Sequence, residues 1–138
     1  MNKLNLPVEE FTTPDPITAK EDTTIDDLTR VMKDHGIRHI PILRDKQVVG
    51  IISDRDIKVA SGLSAREKML IQASDIMATD PVTVRSQASL DEVAFIMSKN
   101  KIGSVIVNDE NEEFLGIFTA TDALNALIEI TRDLQKLS

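Results

Sequence analysis

Two short stretches carry the side chains best suited to holding a small polar molecule: Gly50-Ile51-Ile52-Ser53-Asp54-Arg55-Asp56 and Gly116-Ile117-Phe118-Thr119-Ala120-Thr121-Asp122. Each ends in a carboxylate, an acceptor-only group, three residues after a hydroxyl that both donates and accepts. The leading glycine presents no side chain, which suits close approach to the backbone. If the hydroxyl-to-carboxylate step lies where a strand gives way to a helix, unbonded N–H groups there add attraction for anions. The plainer use of the same residues is structural: Ser53 and Thr119 as helix caps, Asp56 and Asp122 as solvated acids. Cations favour the first stretch, which has Arg38, His39 and Arg55 nearby, where the second has Gly103, Ser104 and Thr121. Forked guanidinium donors bind phosphate well. The stretch around Asp56 is therefore expected to take the more highly charged ligand.

Other chemistries find little support. Cysteine is absent, which removes disulfides, thiolate metal sites and thiol nucleophiles. His35 and His39, the only histidines, have the spacing of a helical metal pair, but Gly36 intervenes and no carboxylate pattern completes a site, so no metal is expected. There is no Gly-x-Ser-x-Gly elbow, phosphate loop or dinucleotide fingerprint, and no enzyme activity is expected. A formal net charge of −7 repels nucleic-acid phosphates and anionic membranes. With no Tyr or Trp, base stacking would fall to four Phe, of which Phe95, Phe114 and Phe118 read as core. No run reaches the roughly 20 apolar residues of a membrane span, and Met1–Glu10 does not read as a signal peptide, so a cytoplasmic protein is expected.

The elements that must position these residues come in two copies. At an offset of 65, Asp15-Pro16-Ile17-Thr18 recurs as Asp80-Pro81-Val82-Thr83, and Ile25-Asp26-Asp27-Leu28 as Leu90-Asp91-Glu92-Val93. The glycine stretches match at an offset of 66, one residue having been added in a turn. Each copy predicts β-α-β-β-α: a short strand at 17–20 or 82–85, a helix, a hairpin (39–43 with 48–53, or 104–107 with 114–118), and a helix from Asp54 or Ala120. Ser89 with Glu92 fits a capping box and Thr24 with Asp27 a shorter-armed version of it. Gly36 is expected to stop the first copy's helix, and with Lys101 in that place the second must stop differently. Pro41 inside a strand predicts an edge or a bulge. Ser64 to Glu67 starts a helix between the copies. The division falls at 1–66 and 67–138. Neither copy buries enough alone, so packing sheet against sheet about a pseudo-two-fold axis is expected, with ligand clefts between the copies.

The last helix carries Ala120, Ala123, Leu127, Ile130, Leu134 and Leu137 in a heptad-like seam, widened by Leu124 and Ile128. This stripe either covers the protein's own core or meets a partner. Both hold if the early turns pack inward and the last turns reach outward.

The duplicated Gly-hydrophobic-x-Ser/Thr-x-x-Asp, the Asp-Pro-hydrophobic-Thr entry and Ile37-Arg38-His39-Ile40-Pro41-Ile42 resemble the CBS-domain family over nearly the whole chain. The resemblance implies an α+β fold of two CBS repeats with a C-terminal helix, acting as a regulatory module. It implies AMP, ADP, ATP or S-adenosylmethionine as the ligand, in the cleft between repeats, with no cofactor required. It also implies a homodimer and an effector protein whose identity is open. By family pattern Asp56 and Asp122 take ribose hydroxyls, a role that suits an acceptor-only group. Ser53 and Thr119 lie near ribose or phosphate, Thr18 and Thr83 near the base, and the backbone at Ile40 and Pro41 faces the ligand. Arg38, His39 and Arg55 would hold phosphate. The site around Asp122, with Thr121, would be weak, empty or suited to a less anionic adenosyl compound. The other reading is a ligand-free scaffold that only dimerises.

Overall fold

The computed structural model describes residues 6–137. In chain order there is a 3-10 turn at Val8–Phe11, then β1 (Thr13–Pro14), β2 (Ala19–Lys20), α1 (Ile25–His35), β3 (His39–Arg44), β4 (Gln47–Ser53) and α2 (Asp54–Val59). A second 3-10 turn, Ala60–Gly62, leads to α3 (Ala65–Leu70), α4 (Ala73–Ile76), β5 (Ala78–Thr79), β6 (Thr83–Arg85), α5 (Leu90–Asn100), β7 (Ser104–Asn108), β8 (Phe114–Thr119) and α6 (Ala120–Lys136). The fold is mixed α and β, with two four-stranded sheets ordered β2-β3-β4-β5 and β1-β8-β7-β6.

The two compact units are not successive stretches of chain. One is Pro16–Pro81; the other joins the segment before Pro16 to everything from Val82 onward. The chain changes unit between Asp15 and Pro16 and again just after Pro81, beside its two Asp-Pro steps, where Asp15 and Asp80 both take positive φ, 45° and 51°. Aspartate tolerates that region better than most residues. As a result β1 precedes the first copy in sequence but pairs antiparallel with β8 of the second, Thr13 opposite Ile117 and Pro14 opposite Gly116. In the same way β5 precedes the second copy but pairs with β4 of the first, Ala78 opposite Ile51 and Thr79 opposite Gly50.

Both motif glycines serve these strands. A Cβ on Gly116 would run into the carbonyl oxygen of Thr13 and lie 3.0 Å from Thr12 Cγ2; one on Gly50 would meet the Met77 side chain and the Ala78 carbonyl oxygen, the latter at 3.1 Å. The backbone approach that the motif permits is thus made by β1 and β5.

Each unit has its own core. In Pro16–Pro81 it is Leu28, Met32, Ile40, Ile42, Ile52 and Ala73; in the other it is Val8, Val93, Met97, Val105, Val107 and Phe118. Phe95 does not join: it projects from α5 at 64% exposure, because the buried face of that helix runs through Val93 and Met97. The stripe on α6 is also rotated from expectation. Ala126 is buried and Ala123 and Ile130 half-buried, whereas Leu127, Leu134 and Leu137 are 60%, 54% and 83% exposed. Small Ala123 and Ala126 let the helix settle close over β8 and the Val8–Phe11 turn, leaving the bulky leucines outside.

Several local expectations change as well. Thr24 caps α1, its Oγ1 accepting from Asp27 N–H at 3.3 Å, while Ser89 makes no side-chain cap, so the better capping-box sequence is the one not used. The second copy's helix ends as the first does. Gly36 and Lys101 both adopt the left-handed conformation, φ 62° and 54°, and Ile37 and Ile102 N–H close back onto Met32 and Met97 carbonyls at 3.1 and 3.0 Å. Pro41 lies on an interior strand, and the bulge falls one residue later, between Ile42 and Leu43. The proline does not cause it, since β7 bulges at the matching place, between Val107 and Asn108, without one. The matching residue Ile106 donates to Val82 O at 2.9 Å, toward β6. The missing donor of Pro41 therefore belongs to the side where β2, which spans only Ala19–Lys20, has not yet begun.

Candidate ligand-binding site

Ser53 and Asp56 form a complete capping box where β4 passes into α2. Asp56 N–H donates to Ser53 Oγ at 3.3 Å, and Ser53 N–H and Oγ–H both donate to Asp56 Oδ2, at 2.9 and 3.1 Å. Thr119 and Asp122 repeat this where β8 passes into α6, with distances of 3.3, 2.9 and 3.0 Å. The structural use of both hydroxyls is therefore real, and it occupies one carboxylate oxygen in each copy. What remains for a ligand is the other oxygen. Asp56 Oδ1 accepts no hydrogen bond from the described residues, whereas Asp122 Oδ1 accepts the hydroxyl of Thr13 at 3.1 Å. Thr13 was not legible as a site residue, because 109 positions separate it from Asp122.

The amides at these helix starts are less open than expected. Asp54 N–H donates to Arg38 O at 2.8 Å and Ala120 N–H to Gly103 O at 3.0 Å. With Asp56 and Asp122 amides held by the caps, Arg55 and Thr121 alone among the first three residues keep a backbone donor outside these bonds. Both residues are exposed, each second in its helix.

Positive charge gathers on the first copy. His39 opens β3 directly opposite Ser53, and Arg38 precedes it, exposed. Neither Arg38 nor Arg55 forms a side-chain ion pair with the described residues, so both guanidinium groups can turn to an anion. Burial pushes the His39 pKa below its ordinary value, outweighing the upward pull of Asp54 and Asp56, while Arg38 adds to the fall. The ring is thus a neutral donor-acceptor at pH 7. His35 is elsewhere, at the end of α1, and no group of three or more His, Asp or Glu among the described residues is arranged to hold a metal.

Ile40 is wholly buried in the core and Pro41 is buried beside it, which leaves only their backbones to face a ligand. Thr18 is half-buried immediately before β2, and Thr83 opens β6 opposite Ile106. The structure thus brings His39, Ser53 and Asp56 together, and separately Thr119 and Asp122. No hydrogen bond joins Thr18 or Thr121 to either carboxylate among the described residues. No described helix is long and apolar enough to cross a membrane.

The family model described as CBS domain matches residues 8–62 and 73–129. A Vibrio cholerae protein described as an acetoin utilization protein (AcuB) is 33% identical, with 98% of each chain covered and a TM-score of 0.85. The CBS domain pair of the protein MJ0100, solved with 5′-methylthioadenosine and S-adenosyl-L-methionine, is 30% identical over 91% of this chain and 97% of that one, at a TM-score of 0.76. Inosine-5′-monophosphate dehydrogenase of Korarchaeum cryptofilum is 33% identical across 83% of this chain but only 23% of its own length. Five such curated relatives, that dehydrogenase included, are spanned over 22–46% of their length.

Proposed function

This chain belongs to the CBS domain family, and from that premise we propose that it is a regulatory module which binds an adenosyl ligand and passes the bound state to a partner protein, without catalysing a reaction. The observation that carries this reading is the uncommitted Oδ1 of Asp56, held in place by Ser53 and close enough to His39 to act on its charge, in a stretch where Arg38 and Arg55 form no ion pair with the described residues. A fixed carboxylate oxygen accepts from two vicinal hydroxyls, and the cations of that stretch suit the phosphates of AMP, ADP or ATP. S-Adenosylmethionine enters the same list because the related MJ0100 pair was solved with it. Thr18 and Thr83 serve the base, and Asp122 is the second ribose acceptor. Ligand binding need favour one state by only about 1–3 kcal/mol to couple to a partner.

The test is a thermal-shift panel of AMP, ADP, ATP and S-adenosylmethionine on the wild type and on Asp56→Ala. A ligand at about 100 times its Kd adds about 2.7 kcal/mol of stability. The shift, rather than the absolute Tm, is the readout, since Asp56→Ala also removes half of a cap. A shift with one ligand that vanishes in the variant supports the reading. No shift from a folded sample moves the choice to a second one, a ligand-free scaffold. The exposed leucines of α6 favour that reading, and they suit a homodimer under either.

A further inference from the structure

The duplicated carboxylates differ at one position that neither copy's motif contains. Thr13 sits on β1 opposite Ile117, and its hydroxyl donates to Asp122 Oδ1 at 3.1 Å, with Oδ2 at 3.4 Å. Its counterpart on β5 is Ala78, opposite Ile51, whose methyl side chain has no hydroxyl to donate. The rest of the two caps agrees to within 0.1 Å: the amide bonds are 2.9 Å in both, and the hydroxyl bonds 3.1 Å for Ser53 and 3.0 Å for Thr119. The two copies therefore present the same carboxylate, open in one and taken in the other.

We propose that Thr13 is a resident competitor for ribose at Asp122, and that the Thr13/Ala78 difference decides which half of the duplicated site accepts a nucleoside. This rests on the reading above, that these carboxylates are ribose acceptors. A diol arriving at Asp56 gains its hydrogen bonds outright. One arriving at Asp122 finds one of the two acceptor positions on Oδ1 already filled, and for both of its hydroxyls to bind it must displace a threonine that β1 holds in register. Because a charged hydrogen bond is exchanged rather than gained, affinity falls by about 10- to 100-fold. The absence of cations at Gly103, Ser104 and Thr121 also weakens phosphate binding there. It does not weaken an uncharged nucleoside, so the effect of Thr13 can be read separately.

The experiment is calorimetric titration of the whole chain with adenosine and with 2′-deoxyadenosine, for wild type, Thr13→Ala, Thr13→Ser and Ala78→Thr. Wild type should bind one adenosine per chain. Thr13→Ala should add a second that needs the 2′-hydroxyl, and Thr13→Ser should return to one. Ala78→Thr should weaken the first site about 10- to 100-fold, with a thermal unfolding curve close to wild type. Two equal sites in wild type, or variants indistinguishable from it, overturn the role of Thr13 while leaving ligand binding intact. No heat with either nucleoside, and none with AMP, overturns the ligand reading and this inference together.

Discussion

Replacing each motif glycine with alanine separates two contacts that look alike in sequence. In Gly116→Ala the new methyl meets backbone: the Thr13 carbonyl oxygen, the Thr13 carbonyl carbon at 3.0 Å, and Thr12 Cγ2 at 3.0 Å. Carbon atoms pack comfortably at about 3.5–4.0 Å, so β1 must withdraw. That strand has only two residues in register with β8, along with the Thr13–Asp122 bond and Asp15 N–H on Leu115 O at 3.4 Å. Losing two or three hydrogen bonds at about 1 kcal/mol each, less about 0.5 kcal/mol recovered because alanine restricts the unfolded chain, leaves a destabilisation of about 2 kcal/mol. In Gly50→Ala the nearest atoms are the sulfur and Cγ of Met77, the flexible end of a side chain, and the Ala78 oxygen is only modestly tight at 3.1 Å. Methionine repacks readily, so the cost should be about 1 kcal/mol or less. Urea unfolding of the two variants, with the slope m checked for constancy, measures the difference. Equal losses, or a larger loss for Gly50→Ala, would refute the assignment of the glycines to these strands.

Other outcomes follow from the same contacts. Lys101→Gly should stabilise the protein by about 0.5–1 kcal/mol, because the left-handed cap then costs nothing in steric strain, and Gly36→Ala should destabilise by a similar amount; thermal denaturation checks both. His39 resists protonation when folded, so from about pH 6.5 downward the unfolded state takes up a proton the folded state refuses. Stability should therefore fall as pH falls through that window and be flat above it, and His39→Gln should remove that component of the slope in unfolding curves recorded from pH 5 to 8. Leu127→Arg with Leu134→Arg should abolish any self-association seen by light scattering while leaving the monomer's melting temperature within a few degrees, because both side chains are outside the core.

Much of each unit was legible because each signal was local. The repeats, the hairpins and the caps at Ser53, Ser64 and Thr119 depend on residues within a few positions of one another. The buried faces through Leu28 and Met32, or Val93 and Met97, follow from helical spacing. What escaped was non-local or compensated. Nothing near Thr13 or Ala78 in sequence says which hairpin it will join, so the exchange of lead strands and the polar contact it makes at Asp122 were hidden. Lys101 escaped because the surrounding closure, Ile102 onto Met97, holds a left-handed residue even without glycine. Phe95 escaped because apolar periodicity shows that a stripe exists but not which neighbour covers it, and for the same reason the α6 leucines stood open between core and partner.

The exchanged strands also set an order of events during synthesis. The unit Pro16–Pro81 has its last strand, β5, by residue 79, so every partner in its own sheet is already present while the remainder is still being made. The segment carrying Val8, Phe11 and β1 must wait for β8, roughly a hundred residues later; at about 5–20 residues per second that is on the order of ten seconds. Throughout that interval an apolar turn and an unpaired strand lie open to whatever else is emerging. The two acids at Glu9 and Glu10, exposed in the finished fold, fall between Val8 and Phe11. Charges so placed discourage premature association of a waiting hydrophobic segment, a service whose value ends when β8 arrives.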